Sequence, residues 1–189
     1  VLREFALWLD THEWSTALHE SLFAYPIIES THVLTLCLFV GTLCIVDLRL
    51  LGVGFTNVPV SEVMRRMLPW TVVGFVVMFF TGLALFYAIP ERSYHSLWFR
   101  IKVILLIIAG VNAWWMHKRV ARDRAAWDEV VKPPRGARIS AGISLFMWAG
   151  VIVTGRMIAY NWFDCDRQPQ AAFVNWAAEC SAMLAEAGG

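Results

Sequence analysis

Glu29 and His32 stand one helical turn apart inside an otherwise apolar run from Leu22 to Val46. A carboxylate and an imidazole are costly in such a run, because lipid offers them no water. Ionisable residues kept within a membrane segment face a bundle interior, a cofactor or an ion path. An imidazole brings a lone pair suited to iron, copper or zinc. A carboxylate one turn away can orient a ligand or pass a proton. The pair is therefore the first candidate site.

The elements that must position it are membrane helices. Of 189 residues, 58% are apolar and only 16% are charged, against roughly 25% charged in soluble domains. Four runs reach the ~20 residues that a helix needs to cross a bilayer. They lie at about 23–46, 69–89, 98–117 and 139–161. The fold class that follows is all-α: a polytopic membrane protein built as a four-transmembrane-helix bundle, with one domain over 1–161 and a tail over 162–189. Pro26 sits in the first turn of span one, where a missing N–H matters least. Pro69 opens span two, Pro90 follows it, and Pro133-Pro134 breaks the loop before span four.

Charge placement sets an expected orientation. The loop after span one carries Arg49, Arg65 and Arg66; the loop after span three carries Lys118, Arg119, Arg122, Arg124, Lys132, Arg135 and Arg138. These are ten of the sixteen Lys and Arg, all on one side. The positive-inside rule puts both loops in the cytoplasm and both termini outside, which for a bacterial inner membrane is the periplasm. Tyr25, Tyr87, Tyr94, Trp98, Tyr160 and Trp162 then form an outer aromatic belt, and Trp70, Trp114 and Trp115 an inner one. Residues 1–20 carry Arg3, Glu4, Asp10, Glu13 and Glu20, unlike a signal-peptide core. Apolar residues at 2, 5, 8 and 9 predict a short amphipathic helix on the outer surface, or a lid packed on the bundle.

The helical rise converts these spans into depths. His32 lies about 13 Å and Glu29 about 9 Å below the outer end of span one. Arg100 and Lys102 lie about 4 to 8 Å, and Arg156 about 7 Å, below the same face. An outer layer rich in cations results, which suits a further anion such as haem propionates or a lipid head group. The structural alternative has Glu29 neutralising Arg156 or Lys102. A second, inner layer holds Asp47, Arg49, Asn112 and His117. His117 is read either as a cofactor ligand or as part of a basic helix end that meets the dipole and anionic lipid. His32 and His117 lie about 15 Å apart along the membrane normal, so they do not share one iron. A haem on His32 would take His95, Met157 or nothing as its sixth ligand.

Cysteines and the remaining motifs narrow the classes. Cys37 and Cys44 are about 10 Å apart along one helix, too far for a bridge. Cys165 and Cys180 fall in the tail, on the oxidising side of such a membrane. A disulfide pinning a short tail helix is predicted, with a metal-binding pair as the alternative. His12 and His19 are read as surface residues, or as part of a copper or zinc site with His32. Glu-x-x-His at 29–32 is half of a carboxylate di-metal motif whose second copy is absent. No phosphate loop, dinucleotide fingerprint or nucleophile elbow is present. The basic loop at about 118–138 lacks a nucleic-acid module.

Two resemblances follow from these residues. Trp98-Phe99-Arg100-Ile101-Lys102, then apolar residues to His117, resembles the third span of the bacterial membrane protoporphyrinogen oxidases, which also carry a His in span one. The copper-resistance D family is similar in its small helical bundle and span-one His. The first resemblance implies a b-type haem and electron exchange with quinone, and touches His32, Lys102 and His117. The segments YPIIESTHVL, VDLRLLG, LPW and FRIKVILLIIAGVNAWWMH are similar to a bacterial four-helix inner-membrane family of unassigned activity. That likeness covers nearly the whole chain and implies the fold alone.

The leading expectation is a b-haem protein that passes electrons between quinone and an outer-side partner. His32 would ligate iron, Arg100, Lys102 and Arg156 would hold propionates, and Glu29 would orient a ligand or relay a proton. The alternatives are a structural or assembly subunit of a larger membrane complex, its helices brought close by Gly74, Gly82, Gly142, Gly150 and Gly155, and copper handling through His32 and Met157. Besides lipid, the expected partners are quinone and other membrane subunits.

Overall fold

The computed structural model describes residues 2–122, 128, 132–160, 162, 163, 165 and 168–181. Arg124, residue 161 at the predicted end of span four, and residues 182–189 of the tail lie outside the described residues. The regular elements are helices: α1 (Leu2–Asp10), α2 (Glu13–Glu20), α3 (Ala24–Leu51), α4 (Val60–Ala88), α5 (Pro90–Tyr94), α6 (Leu97–Arg122), α7 (Arg135–Ile158) and α8 (Ala172–Ala177). Four of them, α3, α4, α6 and α7, are long and apolar enough to cross a membrane. The protein is an all-α membrane bundle. Apolar side chains left exposed along these helices, such as Leu34, Phe80, Ile107 and Phe146, are its lipid contacts.

Local chemistry explains the helix ends. The Ser21 hydroxyl accepts from the Ala24 N–H at 3.0 Å, capping the start of α3 ahead of Pro26. The α3 helix stops at Gly52, whose φ of +73° is the left-handed turn that glycine makes without steric cost. From there Gly54 N–H returns to the carbonyl of Leu48 at 3.2 Å. The α4 helix begins well before Pro69 and runs through it. Glu62 accepts from Arg65 Nε and Nη2, both at 2.8 Å, and pairs with Arg66, which knits the turns that precede the proline.

The chain forms two compact units. Unit 1 comprises Val1–Glu29, Gly82–Ile104 and Gly150–Gly189; unit 2 comprises Ser30–Thr81 and Leu105–Ala149. In unit 1, α1 packs against α5, and the buried Ser15 of α2 donates to the Tyr87 carbonyl at 2.7 Å. In unit 2, an apolar cluster of Leu50, Val60, Met116, Val120, Ala137 and Ala141 forms a core. Beside the turn at Gly52, buried Arg49 donates its Nε–H to the Val58 carbonyl at 2.6 Å, which braces the loop between α3 and α4. Asp128 accepts from both the N–H and the hydroxyl of Ser61.

Candidate functional site

His32 lies half-buried in unit 2. Its Nδ1 is 3.0 Å from Thr81 Oγ1. The Thr81 hydroxyl is itself 2.8 Å from the Val77 carbonyl one turn back, so its hydrogen is committed there and its oxygen accepts from His32 Nδ1–H. In a neutral ring, a proton on Nδ1 puts the lone pair on Nε2. An imidazole anchored this way by a neighbouring oxygen is the arrangement that orients metal-bound histidines.

Below His32 the interior of unit 2 alternates between rings and hydroxyls. The Phe39 ring meets Trp148 edge-on at 4.7 Å and Phe75 at 5.7 Å. Gly74 makes this layer tight: a Cβ there would lie 3.1 Å from both Phe39 Cβ and N. Thr71 then donates to Thr42 Oγ1 at 2.9 Å, while Thr42 donates to the Phe39 carbonyl. Further along α3, buried Asp47 faces Ser144 of α7. Asn112 and Ser140 exchange two hydrogen bonds between α6 and α7. His117, near the end of α6, is exposed.

Unit 1 holds Glu29, Arg100, Lys102 and Arg156. Glu29 is exposed, and its charge reaches Tyr25 one turn earlier, which also lies in the field of Arg92. No ion pair joins Glu29 to Lys102 or Arg156 among the described residues. The Lys102 ammonium rests beside Gly155, where an added Cβ would come within 3.6 Å of Nζ. Arg156 is exposed and leans on the Tyr160 ring, its Nη2 3.3 Å from the phenol oxygen. Both cations thus lack an acid partner among the described residues.

Arg100 has a different occupation. Its Nε donates to the Tyr94 carbonyl at 3.1 Å, and its Nη1 donates to the Ala177 carbonyl at 2.8 Å and reaches Glu179 at 3.4 Å. Tyr94 donates to the other Glu179 oxygen at 2.9 Å. The Tyr94 hydroxyl and then Arg100 hold the Glu179 carboxyl below its ordinary range; burial and the same carboxylate push the Tyr94 phenol up. His95 Nδ1–H donates to the Ala178 carbonyl at 2.9 Å. Cys165 and Cys180 are bridged, as their spacing predicted. Arg100 and His95 therefore clamp the tail helix.

Residues 20–161 match the model of a family described as a family of unknown function (DUF6644). The chain belongs to that family. The family region takes in Glu29, His32, Asp47, Lys102 and Arg156, and leaves out α1 and the bridged tail. No curated protein and no solved structure matches the chain. Among the described residues, no three His, Cys, Asp or Glu side chains gather where a metal ion could be held by them alone. Thr81, Ser144 and Glu179 were not singled out by sequence reasoning. A hydroxyl in a helix ordinarily bonds its own backbone, as Thr81 also does, so its second role carries no sequence signal.

Proposed function

We propose that this protein is a b-type haem protein of the bacterial inner membrane that passes electrons between quinone and an outer-side partner. The observation that carries the reading is the 3.0 Å contact of His32 Nδ1 with Thr81 Oγ1, which prepares Nε2 as an iron ligand. When bound, a b haem supplies one-electron transfer. His32 would bind it and Thr81 would hold the ring orientation. Lys102 and Arg156, cations without an acid partner among the described residues, are the groups assigned to the propionates from their depth in the sequence. Glu29, exposed one turn from His32, is assigned to proton relay. Arg100 keeps only a secondary place, because two of its nitrogens hold the tail. His117 belongs to this reading through the family resemblance alone.

Both termini are assigned to the periplasmic side. Two features support this: the positive-inside rule assigns the basic loops of the sequence to the opposite side, and the Cys165–Cys180 bridge suits an oxidising compartment. Extraction of the purified protein with acid acetone tests the cofactor. One b haem per chain is expected, absent from His32→Ala; a wild-type protein free of haem would end the reading.

A second reading, an assembly subunit of a larger membrane complex, is favoured by one observation. Unit 1 leaves large aromatic side chains uncovered on its short helices, with Trp14 79% and Trp176 77% exposed. Fixed-stoichiometry co-purification in mild detergent is the expected result. A monodisperse, colourless, solitary protein would count against it.

A further inference from the structure

Asp47 sits inside a membrane-spanning helix and is only 5% exposed. Ser144 of α7 is the polar side chain that faces its carboxyl group. Its Oδ2 is buried without a partner among the described residues. The groups seen to interact with it are Ser144 and, one turn back on its own helix, the Cys44 thiol. Among the described residues, α4 and α6 bring it no charged partner, and Arg49 two residues on gives its Nε–H to Val58. A bare carboxylate so enclosed is costly, whereas a carboxyl that holds a proton is tolerated.

The surroundings also give this group a direction. Asp47 lies about 6 Å along α3 from its end at Leu51. In the other direction, about 12 Å along the helix, comes the layer of Phe39, Phe75 and Trp148, drawn tight at Gly74. That aromatic layer lies between Asp47 and His32 along α3. The loop end, with the Gly52 turn, is the shorter route to water.

We propose that Asp47 is an intramembrane proton-exchange site that takes a proton from water at the loop end of α3 and releases it to the same end. Its ligand is a proton, held on the carboxyl opposite Ser144. The assignment goes beyond the haem reading and does not depend on it, since neither His32 nor a cofactor takes part.

The test uses the full-length protein in lipid nanodiscs with dicyclohexylcarbodiimide, which modifies protonated carboxyls in apolar surroundings. Peptide mapping is expected to find the adduct on Asp47, with labelling at least several-fold faster at pH 5.5 than at pH 8. Infrared spectra are expected to show a protonated-carboxyl band that is missing from Asp47→Asn. That band should move within minutes in D2O and shift in frequency in Ser144→Ala, which keeps the carboxyl and removes the hydroxyl that faces it. Asp47 unlabelled at every pH, or a band unmoved after hours in D2O or unaltered in Ser144→Ala, would overturn the proposal. Suppression of labelling by sodium but not by choline would overturn it too, by marking an alkali-cation site instead.

Discussion

His32 and His95 are anchored alike and surrounded differently. Each has its Nδ1 within hydrogen-bond distance of an oxygen, Thr81 Oγ1 at 3.0 Å for one and the Ala178 carbonyl at 2.9 Å for the other. Around His95 that bond is one strand of a clamp: the same tail is held by Arg100, by Tyr94 through Glu179, and by the Cys165–Cys180 bridge. His95 is 2% exposed, sealed under what it holds. Around His32 the anchor of Nδ1 is the Thr81 hydroxyl, and the ring is half-buried within a membrane helix. The same orienting bond thus serves a fastening in one region and, on the reading proposed above, a ligand in the other. What separates them is the setting: a disulfide-bridged tail for His95, a membrane-spanning helix for His32.

Removing the tail's fastenings tests that division most forcefully. The Cys165→Ser, Cys180→Ser double variant should lose about 3 kcal/mol of tail stability, the expectation for a loop of this size. Hydrogen exchange and limited proteolysis should register this over 168–181, while haem content per chain stays unchanged. If haem is lost as well, the two regions are not separate in function. His95→Ala should follow, with an unsatisfied Ala178 carbonyl costing about 1–3 kcal/mol in the same exchange assay and again no change in bound haem.

The aromatic layer of unit 2 offers an intermediate effect. A valine at Gly74 would drive its Cβ to 3.1 Å from the Phe39 backbone, and such overpacking costs typically about 1–3 kcal/mol. Thermal unfolding in detergent measures it. Thr81→Val removes a single hydroxyl and should cost only about 1 kcal/mol of stability, yet weaken haem retention about 10- to 100-fold, as loss of an orienting partner does at metal sites. A haem affinity indifferent to Thr81→Val would erase the contrast between the two histidines.

The smallest effect is a pH dependence confined to the tail. Glu179 has its carboxyl held below the ordinary value of 4.5 by the Tyr94 hydrogen bond and by Arg100. A carboxyl lowered on folding contributes stability that is present above its unfolded value and lost as pH falls through the folded one. Tail protection factors, corrected for the intrinsic pH dependence of amide exchange, should therefore be flat from pH 8 to 5 and fall below 4.5. Glu179→Gln should abolish that acid limb.

The architecture was legible because it rests on long-range averages. Four apolar runs and their flanking charges identify four helices without any contact information. The ends were less legible. Pro69 reads as a helix start, but the pairing of Glu62 with Arg65 and Arg66 carries α4 back to Val60. Cys165 and Cys180 were readable from compartment and spacing. The candidate site was readable as residue types and unreadable as partners. Helical depth places Arg100 beside Lys102, yet only tertiary structure shows that Arg100 turns to the tail while Lys102 does not. Depth likewise allows Glu29 to neutralise Lys102 or Arg156, and no such pair forms among the described residues. Thr81 and Ser144 escaped notice because a hydroxyl in an apolar run satisfies itself locally.

The central claim is that His32 carries a b-type haem and His95 does not. A dithionite-reduced minus oxidised absorption spectrum of the purified protein, run beside His32→Ala and His95→Ala, tests it directly. A b-type α-band in the wild type and in His95→Ala, absent from a folded His32→Ala, is the predicted result. No band in the wild type, or an undiminished band in His32→Ala, would contradict it.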